Sequence, residues 1–164
     1  MNLIDVLEQS VYGEMLITLV VSMLPVLELR GAIPLGVSLG LDIWPATLVS
    51  ILGNMIPVPF IILFTRRVFE FLRSKSARLE RLVTRLEKRA EGKWKTVNKY
   101  KILGLAIFVA IPLPGTGAWT GALIAAVMDL RMKSAIPAIF TGVIIAAILI
   151  SGLTFGFTAI FGLH

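Results

Sequence analysis

Two charged residues follow the first apolar stretch of this sequence and carry most of its potential chemistry. Residues 15–27 are uncharged, and Glu28 and Arg30 come directly after them. A buried carboxylate can take up and release a proton, and a guanidinium can hold an anionic group through two parallel hydrogen bonds. Residues two apart point to different sides of a helix, so the pair requires a broken backbone or separate partners. Two hypotheses stay open: a binding site, and a structural ion pair.

A proline- and glycine-rich segment interrupts the second apolar half of the chain. Residues 112–117 read Pro-Leu-Pro-Gly-Thr-Gly, and an apolar run begins at Ala118. Backbone N–H groups at the start of a helix there would carry partial positive charge, which suits a phosphate or a carboxylate. The Thr116 hydroxyl would add a hydrogen-bonding group. A tight turn between two helices would explain the same residues without a ligand.

Asn54 is the strongest hydrogen-bonding side chain of the apolar run 43–65. In such a run an amide either bonds a neighbouring helix or contributes to a site. Gly31 and Pro34 follow the charged pair, and Pro34 would disrupt a continuous helix through that segment. The candidate substrate- or ion-binding residues are Glu28, Arg30, Gly31, Pro34, Asn54, Pro112, Pro114, Gly115, Thr116 and Gly117.

The composition argues against several kinds of catalytic and metal site. The chain has no Cys, and its single His is His164. It contains no Walker loop, no HExxH motif and no pair of carboxylates spaced for acid–base catalysis. We therefore expect no metal, no cofactor and no enzymatic activity.

The distribution of apolar residues predicts an all-α integral membrane protein. Hydrophobic residues make up 57% of the 164 residues, and the runs 43–65, 102–128 and 134–163 contain no Asp, Glu, Lys or Arg. A helix needs about 20 apolar residues to cross a hydrocarbon core of about 30 Å. The apolar pieces on either side of Glu28, and those on either side of 112–117, are too short to cross alone. Each pair is expected to form a re-entrant hairpin with irregular backbone at its tip.

The two hairpins recur with the same spacing. Pro25 and Asp42 are 17 residues apart, as are Pro112 and Asp129, so one offset of 87 residues aligns them. The predicted fold is two inverted repeats, each a re-entrant helical hairpin plus a full transmembrane helix, whose tips meet at a central site near the membrane midplane. We expect a single membrane domain over 1–164, with an interfacial segment 1–13, repeat 1 over 14–65, a linker over 66–101 and repeat 2 over 102–164.

The linker is strongly basic and orients the chain. Thirteen of the sixteen Lys and Arg residues lie in 66–101, with four acids. Positive loops face the cytoplasm, so we expect a cytoplasmic linker with both termini outside, in a multi-pass protein of the cell (plasma) membrane. Apolar residues at spacings of 3 and 4 predict an amphipathic helix, or two helices divided near Gly92. The expected partners are the lipid bilayer, with anionic lipids on the linker, rather than nucleic acid; a coiled-coil homodimer is the alternative.

The sequence resembles the small multidrug export protein family at two segments, Leu27-Glu28-Leu29-Arg30-Gly31-Ala32-Ile33-Pro34 and Ile111-Pro112-Leu113-Pro114-Gly115-Thr116-Gly117. This resemblance implies a transporter that exports small molecules. The layout is also similar to the DedA/VTT superfamily, whose members have paired re-entrant hairpins and include translocases of polyprenyl phosphates and phospholipids. The second hairpin of that superfamily reads Arg-x-x-Pro-Gly-x-Arg, whereas this chain keeps Pro114-Gly115 and has neither arginine.

Three functional hypotheses follow. The first is a small exporter with proton coupling through Glu28, acting on a small-molecule substrate. The second is a DedA-like flippase in which Arg30 holds a lipid phosphate. The third is a non-transporting membrane scaffold or assembly factor, in which Glu28 and Arg30 only stabilise a hairpin. Replacing Glu28 by Gln should abolish transport and spare folding under the first two, and should damage folding alone under the third.

Overall fold

The chain is helical, without strands, over the residues that the structure describes. The computed structural model describes residues 11–97, 101–113 and 115–161, without the side chains of 66, 94–97, 101 and 161. Most of the predicted interfacial segment 1–13, together with Pro114 and His164, lies outside the described residues. The all-α prediction is confirmed for the rest. The helices are α1 Val11–Ser22, α2 Glu28–Ser38, α3 Ile43–Met55, α4 Pro57–Lys75, α5 Ala77–Val97, α6 Lys101–Ala110, α7 Ala118–Val127 and α8 Met132–Phe161.

The order of the helices repeats along the chain. Helices α1 and α2 are short and are separated by irregular residues 23–27, and helices α6 and α7 flank the segment 111–117 in the same way. A long apolar stretch follows each pair, Ile43–Thr65 across α3 and α4 and Met132–Ile160 within α8. The inverted orientation of the two halves stays a prediction.

The two long stretches have the length and the surface of membrane-crossing helices. They comprise 23 and 29 residues with mean hydropathy 2.0 and 2.4, and 28% and 33% of their apolar windows are buried. Large apolar side chains cover their outer faces; Leu52 and Leu153, for example, are 62% and 66% exposed. The core helix of a soluble protein would hide such surface, so these faces require lipid or a partner.

The second short helix of each hairpin ends in the same backbone motif. After α2 the Leu41 N–H donates to the Gly36 carbonyl at 3.0 Å, and after α7 the Leu130 N–H donates to the Ala125 carbonyl at 2.9 Å. In both cases the residue before the donor has a positive φ, 114° at Gly40 and 54° at Asp129. This is the Schellman arrangement, which satisfies the last carbonyls of a helix and turns the chain sharply.

Two helix breaks lie elsewhere than the sequence predicts. Pro34 lies inside α2, which continues to Ser38, so the expectation that Pro34 interrupts the helix is wrong. The break comes before Glu28 because Pro25 disfavours helical backbone at the residue preceding it. In the linker, α5 continues through Gly92, and the division falls at Ser76 instead.

The described helices group into two compact units. Unit 1 comprises Met1–Ile56 and Val143–His164, and unit 2 comprises Pro57–Gly142. Unit 1 therefore holds the first hairpin, α3 and the end of α8. Unit 2 holds α4, the linker helix α5, the second hairpin and the start of α8. Each unit contains segments from both halves of the sequence.

Small residues allow the helices of unit 1 to approach closely. A Cβ at Gly36 of α2 would lie 2.8 Å from the Thr18 Oγ1 and 3.1 Å from the Ala46 Cβ, so α1 and α3 both press on this glycine. A Cβ at Gly53 of α3 would lie 2.5 Å from the carbonyl oxygen of Leu19 in α1. The core of this unit thus depends on backbone contact between helices, as small residues permit in membrane bundles.

Unit 2 is organised around α7, which packs on α4, α5 and α6. The buried residues of α7 are mostly small, among them Ala118, Ala122 and Ala125. Helix α5 turns Val83 and Ala90 inward at 0% and 2% exposure, while most of its basic side chains are exposed, namely Arg78, Arg81, Arg85, Lys88 and Arg89. The linker is therefore an amphipathic helix packed on unit 2 through its apolar face.

Candidate functional site

Glu28 lies at the point where the first hairpin resumes its helix. It is the first residue of α2, its φ is +49°, and its side chain is 4% exposed. A non-glycine residue in this left-handed region costs about 1–3 kcal/mol, a strain that clusters at functional sites. A carboxylate in the first turn is favoured by the partial positive charge of the helix start. Glu28 therefore lies at the N-terminus of its own helix, α2.

Arg30 lies in the same first turn of α2 and is half-buried. Its guanidinium interacts electrostatically with the Glu28 carboxylate. The break in helical geometry at Glu28 is one of the two solutions that the two-residue spacing allows, since on a regular helix the side chains would diverge. Both charges therefore lie in the first turn of α2, at the tip of the first hairpin.

The glycine and proline of this segment shape the turn that follows. A Cβ at Gly31 would lie 3.1 Å from both the Cβ and the Cδ2 of Leu27, so the residue before Glu28 packs directly over Gly31. Pro34 has no N–H, and it cannot supply the bond that the Arg30 carbonyl would accept in a regular helix. Both residues thus modify the backbone next to the charged pair.

The second tip is an ordered loop closed by Thr116. The Thr116 hydroxyl lies 2.7 Å from the carbonyl oxygens of Ile111 and Leu113, to one of which it donates, and it accepts from the Leu113 N–H at 3.3 Å. The hydroxyl therefore has a structural role in this loop, and its expected role as a ligand group stays a prediction. Pro112 is exposed at the start of the loop.

Two glycines with positive φ complete the second tip. Gly115 has φ +78°, and Gly117, at the N-cap of α7, has φ +121° without a side-chain cap. Only glycine adopts such angles at little cost. Gly117 has no side chain that could cap the start of α7, and the expected anion-binding role of this helix start stays a prediction.

Lys93 of the linker helix reaches this second tip, which the sequence did not indicate. Its ammonium donates a hydrogen bond to the Gly115 carbonyl and lies 5.6 Å from the centre of the Phe108 ring. The second contact has the geometry of a cation–π interaction. The available clue was that the apolar stripe of α5 must pack on the protein and bring nearby lysines with it. The second tip therefore carries a positive charge supplied by the linker.

Asn54 is completely buried and forms no hydrogen bond with any residue that the structure describes. Its exposure is 0%, and neither its Oδ1 nor its Nδ2 has a partner. The expected interhelical hydrogen bond from Asn54 is thus not found in this part of the chain. Ser50, one helical turn earlier, is equally buried, and its Oγ likewise has no partner. The sequence analysis missed Ser50, although the spacing of four residues was available.

The candidate residues fall into the two units. Glu28, Arg30, Gly31, Pro34 and Asn54 belong to unit 1, and Pro112, Gly115, Thr116 and Gly117 belong to unit 2. The first group contains the buried Glu28 and the half-buried Arg30. The second is a glycine-rich loop that accepts a hydrogen bond from the Lys93 ammonium. Their predicted meeting near the midplane stays a prediction.

Comparison with known proteins gives one match. The sequence model of a family described as "Putative small multi-drug export protein" matches residues 28–149. No curated protein and no solved structure matches the chain. The match begins at Glu28 and includes both hairpin tips from there on, and together with the two long apolar helices it indicates a membrane protein. The chain belongs to the small multi-drug export protein family.

Proposed function

We propose that this protein is a multi-pass exporter of small molecules in the cell membrane, with a charged site at the tip of the first hairpin. The family match supports export in general. The observation that carries the site is Glu28, a buried carboxylate held at a positive φ beside a half-buried Arg30. Ionisable residues within membrane segments are costly, so their presence favours a functional role.

Proton coupling through Glu28 is the mechanism that this arrangement favours. Ionised, the carboxylate attracts the Arg30 guanidinium; protonated, it releases that attraction and leaves Arg30 for an anionic group of the substrate. Proton uptake and substrate binding would then share one charge, which is the requirement for coupling two fluxes. Both charged residues that this mechanism requires lie within the first turn of α2.

The topology of the proposed exporter follows from its charges. The linker, residues 66–101, faces the cytoplasm because most of the basic residues lie in it. Both termini then face outward. Two repeats of opposite orientation are then required, each contributing one re-entrant hairpin. The repeated helix order and the shared Schellman endings support two related halves.

The outer face of α5 is proposed to bind anionic lipids. Arg78, Arg81 and Arg85 line a shallow cleft beside the exposed Leu82, and Lys88 extends the basic row on the same helix. Each such residue near an anionic surface contributes about 1 kcal/mol to binding. Leu82 is 45% exposed among them, which suits a helix resting on head groups.

A lipid-phosphate flippase of the DedA type is the second candidate, and Lys93 favours it. The arginines of that superfamily's second hairpin are absent here, but the Lys93 ammonium reaches Gly115 in the corresponding loop. Each tip would then have one cation, Arg30 in the first and Lys93 in the second. Each of these cations could bind a lipid phosphate within its own tip, whereas a neutral drug requires neither.

Reconstitution in proteoliposomes tests the proposal. Wild-type protein should transport the anionic dye calcein faster than liposomes without protein do, with a rate that rises when a proton gradient is imposed. Glu28→Gln should abolish this transport and leave thermal unfolding unchanged. Asp42→Asn is the matched control, because Asp42 is an exposed acid of the same unit that makes no capping bond.

Three outcomes decide between the hypotheses. Loss of transport in Glu28→Gln with normal folding supports the exporter. Movement of a fluorescent polyprenyl phosphate between leaflets, dependent on Arg30 and Lys93, would favour the flippase. The scaffold is supported if the wild type moves neither compound and Glu28→Gln lowers the temperature of thermal unfolding.

A further inference from the structure

Ser50 and Asn54 form a second polar feature of unit 1, separate from the charged pair. Three of their side-chain atoms, the Ser50 Oγ and the Asn54 Oδ1 and Nδ2, are buried without a hydrogen-bond partner among the described residues. Both residues are 0% exposed. A buried polar group without a partner costs about 1–3 kcal/mol. Two such residues one turn apart therefore require an explanation.

Ser50 differs from the other buried hydroxyls of α1 and α3, which are Thr18, Ser22 and Thr47. A serine or threonine inside a helix normally bonds the carbonyl three or four residues before it. On the same helix Thr47 does this with Ile43 at 2.6 Å, and on α1 Ser22 does it with Leu19 at 2.7 Å. The Ser50 hydroxyl does not use its local carbonyl, so it is available to a ligand.

Helices α8 and α1 contact α3 at residues next to the pair. Thr47, three residues before Ser50, lies 2.6 Å from the Ser151 Oγ of α8, which joins α3 to α8 one turn away. On the adjacent side Gly53 admits α1 so closely that a Cβ there would meet the Ser22 Oγ at 1.9 Å. Residues four apart on a helix have Cβ atoms about 5–6 Å apart, so one small group can touch both side chains.

The hydrogen-bonding pattern selects the chemical class of the ligand. The amide offers two donors and one acceptor, and the hydroxyl offers a donor and an acceptor. A cation would satisfy the two oxygens and leave the amide N–H groups unpaired. An anion would accept from the Ser50 hydroxyl and the amide N–H groups and leave the Asn54 Oδ1 unpaired. A neutral molecule that both donates and accepts can satisfy all three atoms, and water is the smallest such molecule.

We propose that Ser50 and Asn54 form a hydrogen-bonding subsite that holds water in the resting protein and takes a neutral hydroxyl or amide group of an exported molecule. The second half of this inference rests on the proposed export function, while the hydration half does not. The subsite would select for hydrogen-bonding groups, because a site built for such a group rejects analogues that lack it.

Hydration is measured by water-edited solid-state NMR of protein labelled with ¹⁵N-asparagine in liposomes. The chain has three asparagines, Asn2, Asn54 and Asn98, and the Asn54 side-chain signal is the one that disappears in Asn54→Leu. Rapid transfer of water magnetisation to this amide, slowed in Ser50→Ala, is expected. A dry Asn54 amide would overturn the proposal. Melting temperatures in sodium chloride and in choline chloride test for a cation site. A higher melting temperature in sodium chloride that is lost in Asn54→Leu would overturn the proposal in favour of such a site.

Transport of two probes tests the second half. Chloramphenicol carries two hydroxyls and an amide, whereas tetraphenylphosphonium has no hydrogen-bonding group. Asn54→Leu should reduce export of chloramphenicol at least tenfold and leave that of tetraphenylphosphonium within twofold. An equal loss for both probes would overturn the selective role. If wild-type protein exports neither probe, this half falls, whereas the dye assay in proteoliposomes decides the export function and the NMR result decides the hydration half.

Discussion

Replacing Gly53 by Ala is expected to destabilise unit 1 in spite of the better helix propensity of alanine. The added Cβ would lie 1.9 Å from the Ser22 Oγ and 2.5 Å from the Leu19 carbonyl oxygen. The serine can rotate, but the carbonyl belongs to the backbone of α1, so α1 and α3 must move apart. Such overpacking costs about 1–3 kcal/mol, and the severity of the contacts places it near the upper end. Alanine returns about 1 kcal/mol of propensity.

The net effect is a loss of about 2 kcal/mol, which lowers the melting temperature by about 4–8 °C for a chain of this size. Gly152→Ala is the matched control, since Gly152 lies in the same unit with nothing within 4 Å of its added Cβ. It should raise the melting temperature by about 2–4 °C through propensity alone. Thermal unfolding in detergent, followed by circular dichroism, measures both.

A second-site change separates the two contacts. Ser22→Ala in the Gly53→Ala background removes the hydroxyl and leaves the Leu19 carbonyl, so it should restore part of the lost stability and not all of it. Gly53→Ala protein that melts with or above the wild type would refute the close approach of α1 and α3. So would a shift indistinguishable from that of Gly152→Ala.

Three further predictions address the tips and the topology. Arg30→Lys should lower transport at least tenfold although the charge is kept, because lysine cannot reproduce the planar fork of arginine; activity near wild type would leave only a point charge at that position. Single cysteines in place of Asp5 and Arg85 should be labelled from opposite sides of the membrane, and the chain has no native Cys to interfere; labelling from one side would end the inverted-repeat topology. Gly115→Ala should destabilise unit 2 by about 1–2 kcal/mol, since its φ is +78°, whereas Gly115→Asn, which tolerates this region better, should cost less in thermal unfolding; equal losses would point to the Lys93 contact instead.

The sequence predicts the order of the helices because that order depends on local features and not on contacts between distant residues. The uncharged runs and Pro25 are local features, and they are enough to place short helices, breaks and long spans. The charged pair was also found from sequence, since Glu28 and Arg30 stand out against apolar neighbours. The sequence could not place the break at Glu28 itself, because a positive φ at glutamate has no local signature.

Contacts distant in sequence account for what was missed. Lys93 and Gly115 are 22 residues apart, and their hydrogen bond depends on how α5 packs on α7. The hydrogen bonds of Thr116 are local, since a threonine in a turn readily bonds nearby carbonyls, and they agree with the tight-turn alternative. The sequence gives no reason to single out Ser50, because a serine within an apolar helix normally donates to the carbonyl three or four residues before it.

The two tips place their polar groups by different means, and this determines how each can be tested. In the first, the charges belong to the side chains of Glu28 and Arg30, so isosteric substitutions remove the chemistry and keep the backbone. In the second, the polar groups are the carbonyl of Gly115 and the N–H groups at the start of α7, and the charge comes from Lys93 on another helix. Side-chain scanning of residues 112–117 would therefore report on loop stability alone. Only changes in backbone angle or in Lys93 reach the chemistry of the second tip.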